Sequence, residues 1–259
     1  MDGCCTRRAW LAASGGAALL AGCSSLPVPP EPPTVDASPW AAQSAAMAGA
    51  AAPRPWRHQP FPGKTPTVFR YAREDGRDAV SATASSSVSM LRRRLRVEPA
   101  DLGSVVFSWK VPELIADADM ASRDADDSPV RVVLVFEGDR SRFSARDAMT
   151  SELMFALTGE EMPYATLMYA WCGRRTTGTV VANPRTSRVR TLVVESGPAK
   201  LNRWLDYRRN VRADFERAFG EPPGALVGIG IMSDSDNTRS TARAWYGPLR
   251  IVPDATAAR

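Results

Sequence analysis

The sequence contains a single histidine, His58, in 259 residues, and that scarcity removes several chemistries at once. A three-histidine zinc site is excluded, and a Ser-His-Asp triad would have to use this one side chain. Beside Trp56, His58 reads as a packing or surface residue. Charge of one sign is also scarce. A net charge of +5, spread over many Arg–Asp neighbours, does not call for nucleic acid as a partner. The run Arg92-Arg93-Arg94 fits a strand on which Leu91, Leu95 and Val97 share one side and Arg92, Arg94 and Arg96 share the solvated other. The apolar run Ala9–Ala21 is too short to span a bilayer. What the chain does have is 44% hydrophobic residues, enough for a real core. Its length allows one large domain with appendages, or two small ones.

Arg7 and Arg8 stand before that apolar run, the layout of an export signal. The run ends in Leu20-Ala21-Gly22-Cys23, which resembles the lipobox of bacterial lipoproteins, whose cysteine is acylated and becomes the first residue. Thr6-Arg7-Arg8-Ala9-Trp10-Leu11 resembles the twin-arginine export motif, with Ala12 in place of its usual lysine. An ordinary secretory signal with a chance arginine pair stays open. The lipobox resemblance implies a signal peptide over residues 1–22 and a lipid anchor at Cys23. It also implies a periplasm-facing protein of a Gram-negative envelope, at the outer membrane because Ser24 and not aspartate follows the cysteine. Cys4 and Cys5 then leave with the signal and Cys23 carries lipid. Cys172 alone remains, and it cannot form an internal disulfide. Placed between Trp171 and Gly173 with no histidine near in sequence, Cys172 reads as a small buried filler, with a nucleophile as the alternative. Residues 23–55 are rich in Pro and Ala, including Pro27, Pro29, Pro30, Pro32 and Pro33. They read as an extended tether, and a Pro-rich ligand for a partner is the alternative.

From Trp56 to residue 253 the pattern is one of short strands. Runs at Thr67–Tyr71, Ala79–Thr83, Ser86–Val97 and Ser104–Trp109 are separated by turns at Asp75-Gly76 and Pro99–Asp101. Further strands follow at Val130–Glu137, Ala165–Trp171, Thr177–Ala182 and Arg188–Glu195. That cadence predicts antiparallel sandwich structure. Two helical patterns interrupt it. Ser144–Leu157 opens on a Ser144-x-x-Asp147 capping box and stops at Gly159. Over Leu201–Phe219, the residues Leu201, Trp204, Leu205, Val211, Phe215, Ala218 and Phe219 recur at helical spacing before Gly220 and Pro222-Pro223. The predicted fold class is therefore all-β dominated: an antiparallel β-sandwich over residues 56–253 with two packed helices, and a disordered tail at 254–259.

The stretch Ala225–Val252 organises the candidate site. An apolar strand (Leu226, Val227, Ile229, Ile231) lacks strict alternation, as a strand buried on both faces does. It runs into an acidic loop, Ser233–Thr238, and returns through a strand carrying Trp245 and Tyr246 before Gly247-Pro248. A second acidic loop, with Asp117, Asp119, Asp124, Asp126 and Asp127, precedes the strong strand at Val130. Two such loops could converge on a calcium ion, which takes six to eight oxygens. Neither has the glycine and terminal glutamate of the helix-loop-helix calcium site, and solvated turns are the alternative. The expectation is that Asp126, Asp127, Asp234, Asp236 and Asn237 meet at one end of the sandwich as the polar part of a binding site. Trp245 or Tyr246 would form its apolar wall. Ionised carboxylates gathered without a cation raise one another's pKa, so the cluster demands a metal, arginines or wide spacing. Without a metal, Arg131, Arg239 and Arg243 are the partners, and the cluster becomes a structural clasp.

Ordered motifs extend the comparison. They include Phe61-Pro62-Gly63-Lys64-Thr65, Ser108-Trp109-Lys110-Val111, Asp126-Asp127-Ser128-Pro129-Val130, Tyr169-Ala170-Trp171, Asn183-Pro184, Val194-Glu195-Ser196-Gly197, Phe219-Gly220-Glu221 and Met232-x-Asp234-x-Asp236-Asn237-Thr238. In this order they resemble, over Trp56–Val252, the bacterial family designated domain of unknown function 3047. The resemblance implies a shared fold and brings no activity with it. An acidic loop near a terminal strand, with aromatics just before the end, is also similar to galactose-binding-like jelly rolls. That likeness implies a glycan-binding face with some of Trp109, Tyr169, Trp171, Trp245 and Tyr246 stacking on sugars. Trp109 and Trp171 sit inside apolar runs and read as core instead. A fold likeness alone does not establish function. Three classes follow: a non-catalytic binder of a carbohydrate or other envelope ligand, a carboxylate-dependent glycan hydrolase, and a structural lipoprotein that binds another envelope protein.

Overall fold

The computed structural model describes residues 34–44 and 54–252. The expected signal peptide, Cys23, the rest of the expected tether and the expected tail lie outside the described residues. All described residues belong to one compact unit, Pro32–Arg259.

The protein is mostly β, with two sheets and packed helices, as the strand cadence predicts. The first sheet has seven strands in the order β1 (Arg57–Pro60), β4 (Val88–Val97), β11 (Leu226–Asp234), β6 (Ser128–Phe136), β7 (Ala165–Cys172), β9 (Val189–Ser196) and β8 (Val180–Ala182). The second runs β10 (Leu205–Asn210), β5 (Ser104–Lys110), β12 (Thr241–Tyr246), β3 (Arg77–Ser85) and β2 (Val68–Glu74), with β13 (Arg250–Val252) also on β5. The β2–β3 hairpin turns on Asp75 and Gly76, both at positive φ (51° and 76°), the geometry that matches the twist of paired strands. Beyond Tyr246 the chain bulges at Gly247-Pro248 and continues along the same edge of β5, where Arg250 pairs with Val106.

Alternation places the core between the sheets. Val130, Val132, Leu134 and Phe136 of β6 meet Val105, Phe107 and Trp109 of β5 in one continuous cluster. The rings of Phe107 and Tyr169 stack across the gap at 5.7 Å. Trp109 and Trp171 are core residues, buried as their apolar runs imply, and Cys172 is a buried free thiol. One pair departs from the antiparallel expectation: β7 and β9 run parallel. The chain leaving β7 crosses over before β8 and β9 pair antiparallel, and a crossover of that length is what a parallel pair requires.

The helix expected over Leu201–Phe219 is two elements. Leu205–Asn210 is strand β10, and only Val211–Phe219 is helix (α3), capped by the Asn210 side chain and ended by Gly220 at φ 71°. Leu205, Tyr207 and Arg209 also alternate, and an unpaired edge of β5 was there to receive them. Tyr207 stacks on Phe107 at 5.1 Å, so tertiary pairing overrode the helical spacing. The helical repeat is genuine from Val211 onward, where Val211 and Phe215 are fully buried.

Two further helices frame the sandwich. Part of the expected tether packs against it: α1 (Pro39–Ser44) buries Trp40 completely, its ring 4.8 Å from Trp56, and Ser44 Oγ accepts from the Leu249 amide. The other, α2 (Ala145–Thr158), has the predicted Ser144 cap and a left-handed Gly159. Its orientation reverses the usual pattern. The buried residues are Asp147 and Ser151, while Met149, Leu153, Phe155 and Leu157 are exposed.

Candidate functional site

The structure brings the two acidic loops together. Asp126 and Asp127 directly precede β6, Asp234 ends β11, and the two strands pair, so their ends share one corner of the first sheet. Arg131, on the outward face of β6, fills the space between the carboxylates. Its Nη2 donates to Asp126 Oδ1 at 2.8 Å and its Nε to Asp234 Oδ1 at 3.1 Å. Asp234 Oδ1 also accepts from the Ser128 amide at 2.8 Å, and Asp126 Oδ2 accepts from Asn183 Nδ2 at 3.1 Å. Asp127 is fully buried and binds the second loop directly. Its Oδ1 accepts from Asn237 Nδ2 at 3.0 Å, and its Oδ2 accepts from the Thr238 amide and hydroxyl at 2.7 and 2.6 Å. Asp236 lies at the rim, in an ion pair with Lys64.

This is a clasp that joins two chain segments more than 100 positions apart. Arg131 is the cation that the carboxylates required, and the other two arginines lie elsewhere. Arg243 sits over the Trp245 ring at 4.6 Å, and no partner is found for Arg239 among the described residues. Burial pushes the Asp234 carboxyl up, Arg131 opposes it, and the neighbouring Asp126 and Asp127 push it further, to about 7. Arg131 is the one buried guanidinium among the three carboxylates, and Arg185 reaches Asp126 only from the rim at 3.8 Å, so burial and the neighbouring carboxylates together favour a proton on Asp234. A calcium ion does not fit this arrangement. The carboxylate oxygens already accept from N–H and O–H donors, and a guanidinium occupies the centre. The same contacts tie both oxygens of Asp126 and Asp127 and one oxygen of Asp234 to protein donors.

The expected aromatic wall is absent from the clasp's solvent side. Tyr246 is buried, with its hydroxyl donating to the Met232 carbonyl at 2.6 Å and accepting from the Arg131 amide at 3.1 Å. Trp245 points to the opposite face of its sheet, between Arg243 and Lys110. Tyr246 therefore supports the clasp from beneath, and Trp245 is apart from it. His58 shares a 2.7 Å hydrogen bond with Ser89.

The larger concavity lies beside the clasp, on the outer face of the same sheet. A groove of about 650 Å³ runs between that face, α2 and the segment that follows α2. Met90, Met168 and Met232 rise from three strands, with Val133 and Val135 between them, and Met154 descends from α2. Its floor is bare backbone at Gly228, which lies opposite Arg94. At Gly230 a Cβ would come within 2.9 Å of Met90 Sδ, so the methionine occupies the space that a side chain would take. Arg131 Nη1 lies 4.0 Å from Met168 Sδ, and the clasp thus adjoins one end of the groove. Methionine lining is soft and adapts to irregular apolar bodies. None of these residues stands out in the sequence; the signal present there is glycine at alternate positions of an apolar strand, which marks close approach or an open floor.

Two more buried carboxylates escaped sequence reading. Asp147 was legible as a cap, but it also accepts from Thr186 and Ser187 across the fold. Burial raises its pKa, and the hydrogen bonds from Ser187, Thr186 and Ser144 more than reverse this, to about 2. Asp214 accepts from Tyr169 and Arg209 beneath α3, where the helix pattern alone reads as surface charge.

A comparison with curated proteins found no match to this chain. A family model described as "Protein of unknown function (DUF3047)" matches residues 54–250, which takes in both sheets, the clasp and the groove. By that match the chain belongs to the DUF3047 family.

Proposed function

We propose that the protein is an exported, lipid-anchored and non-catalytic binding module, and that its ligand site is the methionine groove on the outer face of the seven-stranded sheet. One observation carries this reading. The groove is a concavity of ligand size with an apolar lining, whereas the acidic clasp has its polar groups already engaged. Sites of this kind fall at about 300–1,000 Å³ and combine an apolar lining with a few polar groups at the edge. Here the edge carries Arg92, Arg94 and Arg140, each paired with Glu160 or Glu161. The ligand that suits such a lining is an envelope compound with an apolar body. A bare glycan suits it less, since Trp109, Tyr169, Trp171 and Tyr246 are all committed to the core.

The anchor reading rests on Leu20-Ala21-Gly22-Cys23, followed by Ser24 as at the outer membrane. Because residues 34–44 are docked, only ten residues lie between Cys23 and Thr34, a reach of at most about 40 Å. A lipid at Cys23 would therefore hold the groove close to its bilayer. The test is mass spectrometry of the full chain extracted from Gram-negative envelopes in mild detergent, beside a Gly228→Leu variant. The expected result is an acylated Cys23 at the N-terminus and a small apolar compound that co-purifies with wild type alone. An unlipidated N-terminus at another residue would overturn the anchor. A compound retained equally by the variant would move the site off the groove.

A further inference from the structure

At the end of the groove nearest β1, the lining changes from sulfur and aliphatic carbon to guanidinium. A second concavity of about 470 Å³ is lined by Arg54, Arg57, His58, Arg92, Arg94 and Glu160. Gln59, Arg92, Arg94 and Glu160 line both spaces, so the two are continuous. Within this basin, Glu160 is the single acid facing four arginines. It accepts from Arg92 through both oxygens at 2.8 and 2.9 Å, and from Arg94 at 2.6 Å. One carboxylate thus serves two cations. The Arg54 and Arg57 side chains make no ion pair among the described residues, and both residues are exposed. Burial lowers the pKa of His58, so the positive charge of the basin belongs to the arginines at neutral pH.

We infer that the groove and basin together bind one anionic glycerophospholipid, with acyl chain against the methionines and phosphate against Arg54, Arg57 and Arg94. This inference rests on the proposed groove site and deepens it by naming the ligand class. The charge excess selects an anion, and guanidinium groups suit phosphate oxygens because they donate paired, charge-assisted hydrogen bonds. The apolar floor, continuous with the basin, demands that the anion carry a hydrocarbon body. A membrane as the source accounts for a third feature. The helix α2, which walls the groove, turns Met149, Leu153 and Leu157 to solvent with Arg146 on the same side, while its buried side is polar. Exposed apolar side chains grouped in this way are what a membrane surface would cover. The same helix borders the groove through Met154, so a lipid leaving the bilayer would have a short path.

The experiment is a binding titration on the full chain with Cys23→Ser, which removes the protein's own lipid. The probes are dihexanoyl phosphatidylglycerol, dihexanoyl phosphatidylcholine and inorganic phosphate, the lipids kept below micelle concentration. Wild-type binding sites should prefer the anionic lipid over the zwitterionic one by about tenfold, the size of one charge-assisted hydrogen bond. Arg57→Glu, an exposed change at a sheet edge, should abolish that preference while leaving thermal unfolding unchanged. Gly228→Leu should remove binding of both lipids. Equal affinity for the two lipids, with Gly228→Leu still abolishing both, overturns the anionic assignment and leaves the groove reading standing. Inorganic phosphate binding as tightly as the anionic lipid overturns the inference, because the hydrocarbon would then contribute nothing. Lipid binding that Gly228→Leu leaves intact overturns both the inference and the groove.

Discussion

The acidic clasp and the methionine groove adjoin on one face of one sheet, yet they treat polar groups in opposite ways. In the clasp, Asp126, Asp127 and Asp234 are taken out of water and satisfied from within the protein, by Arg131, Ser128, Asn237 and Thr238. In the basin of the groove, Arg54 and Arg57 stay exposed and without an ion pair among the described residues, and one glutamate is divided between two arginines. Satisfied buried charge locks two chain segments together. Exposed charge at the mouth of an apolar space is what the proposed lipid site would use. Acidic residues in a loop draw the eye in a sequence, but the difference lies in which donors the fold brings to them.

Breaking the clasp should have the largest effect. Arg131→Met removes the buried cation shared by Asp126 and Asp234 and should cost about 3–5 kcal/mol in urea unfolding, with lipid affinity tested only on the folded fraction. A loss below about 1 kcal/mol would show that the clasp is not what joins the loops. The next effect concerns pH. Asp234 is raised from an ordinary 3.8 to about 7, so its favourable contribution is full below pH 4 and is lost as pH rises through 7. Asp147 has the opposite sign. Its pKa is lowered to about 2, so it stabilises the fold above pH 4 and its contribution is lost as pH falls through 2. Unfolding midpoints across pH 2–8 for Asp234→Asn and Asp147→Asn should therefore diverge from wild type in opposite windows. Profiles parallel to wild type would remove the contrast.

The groove should respond in ligand binding more than in stability. Gly228→Leu places a side chain over bare floor where the nearest non-adjacent atom to a Cβ is 3.5 Å away. Its effect on unfolding should stay within the roughly 1 kcal/mol span of strand propensity, while lipid binding is lost. Glu160→Gln should sharpen the comparison further by releasing Arg92 and Arg94. Anionic-lipid affinity is expected to rise severalfold, and an unchanged affinity would mean that those arginines are not part of the basin's chemistry. The smallest effect belongs to α2. Leu153→Ser removes an exposed apolar group and should change stability by no more than about 0.5 kcal/mol. Sedimentation with anionic vesicles is the measurement that should fall.

Much of the architecture was legible residue by residue. Alternation at Leu91, Leu95 and Val97 against Arg92, Arg94 and Arg96 marked β4 with its correct faces, and Asp75-Gly76 marked the β2–β3 hairpin. The Ser144 cap and the Gly159 stop bounded α2 correctly. These signals are local: a turn's φ angles, a cap's hydrogen bond and a two-residue pleat depend on neighbours in the chain. That gathered carboxylates need a metal, arginines or wide spacing was legible, with Arg131, Arg239 and Arg243 as the candidate arginines, and the fold places Arg131 alone of these three between them.

What the sequence determined by itself, then, is the strand cadence, the caps, the burial of Trp109 and Trp171 and the need for a counter-charge. Tertiary structure alone decided the rest, because each remaining feature depends on an element distant in the chain. The edge of β5 turned Leu205–Asn210 from helix to strand, since an open ladder offered more than helical spacing did. Thr186 and Ser187 drew Asp147 inward and so turned the apolar side of α2 to solvent. The groove exists only where Met90, Met168, Met232 and Gly228 come from three strands to one surface, and no single stretch of the chain contains that pattern.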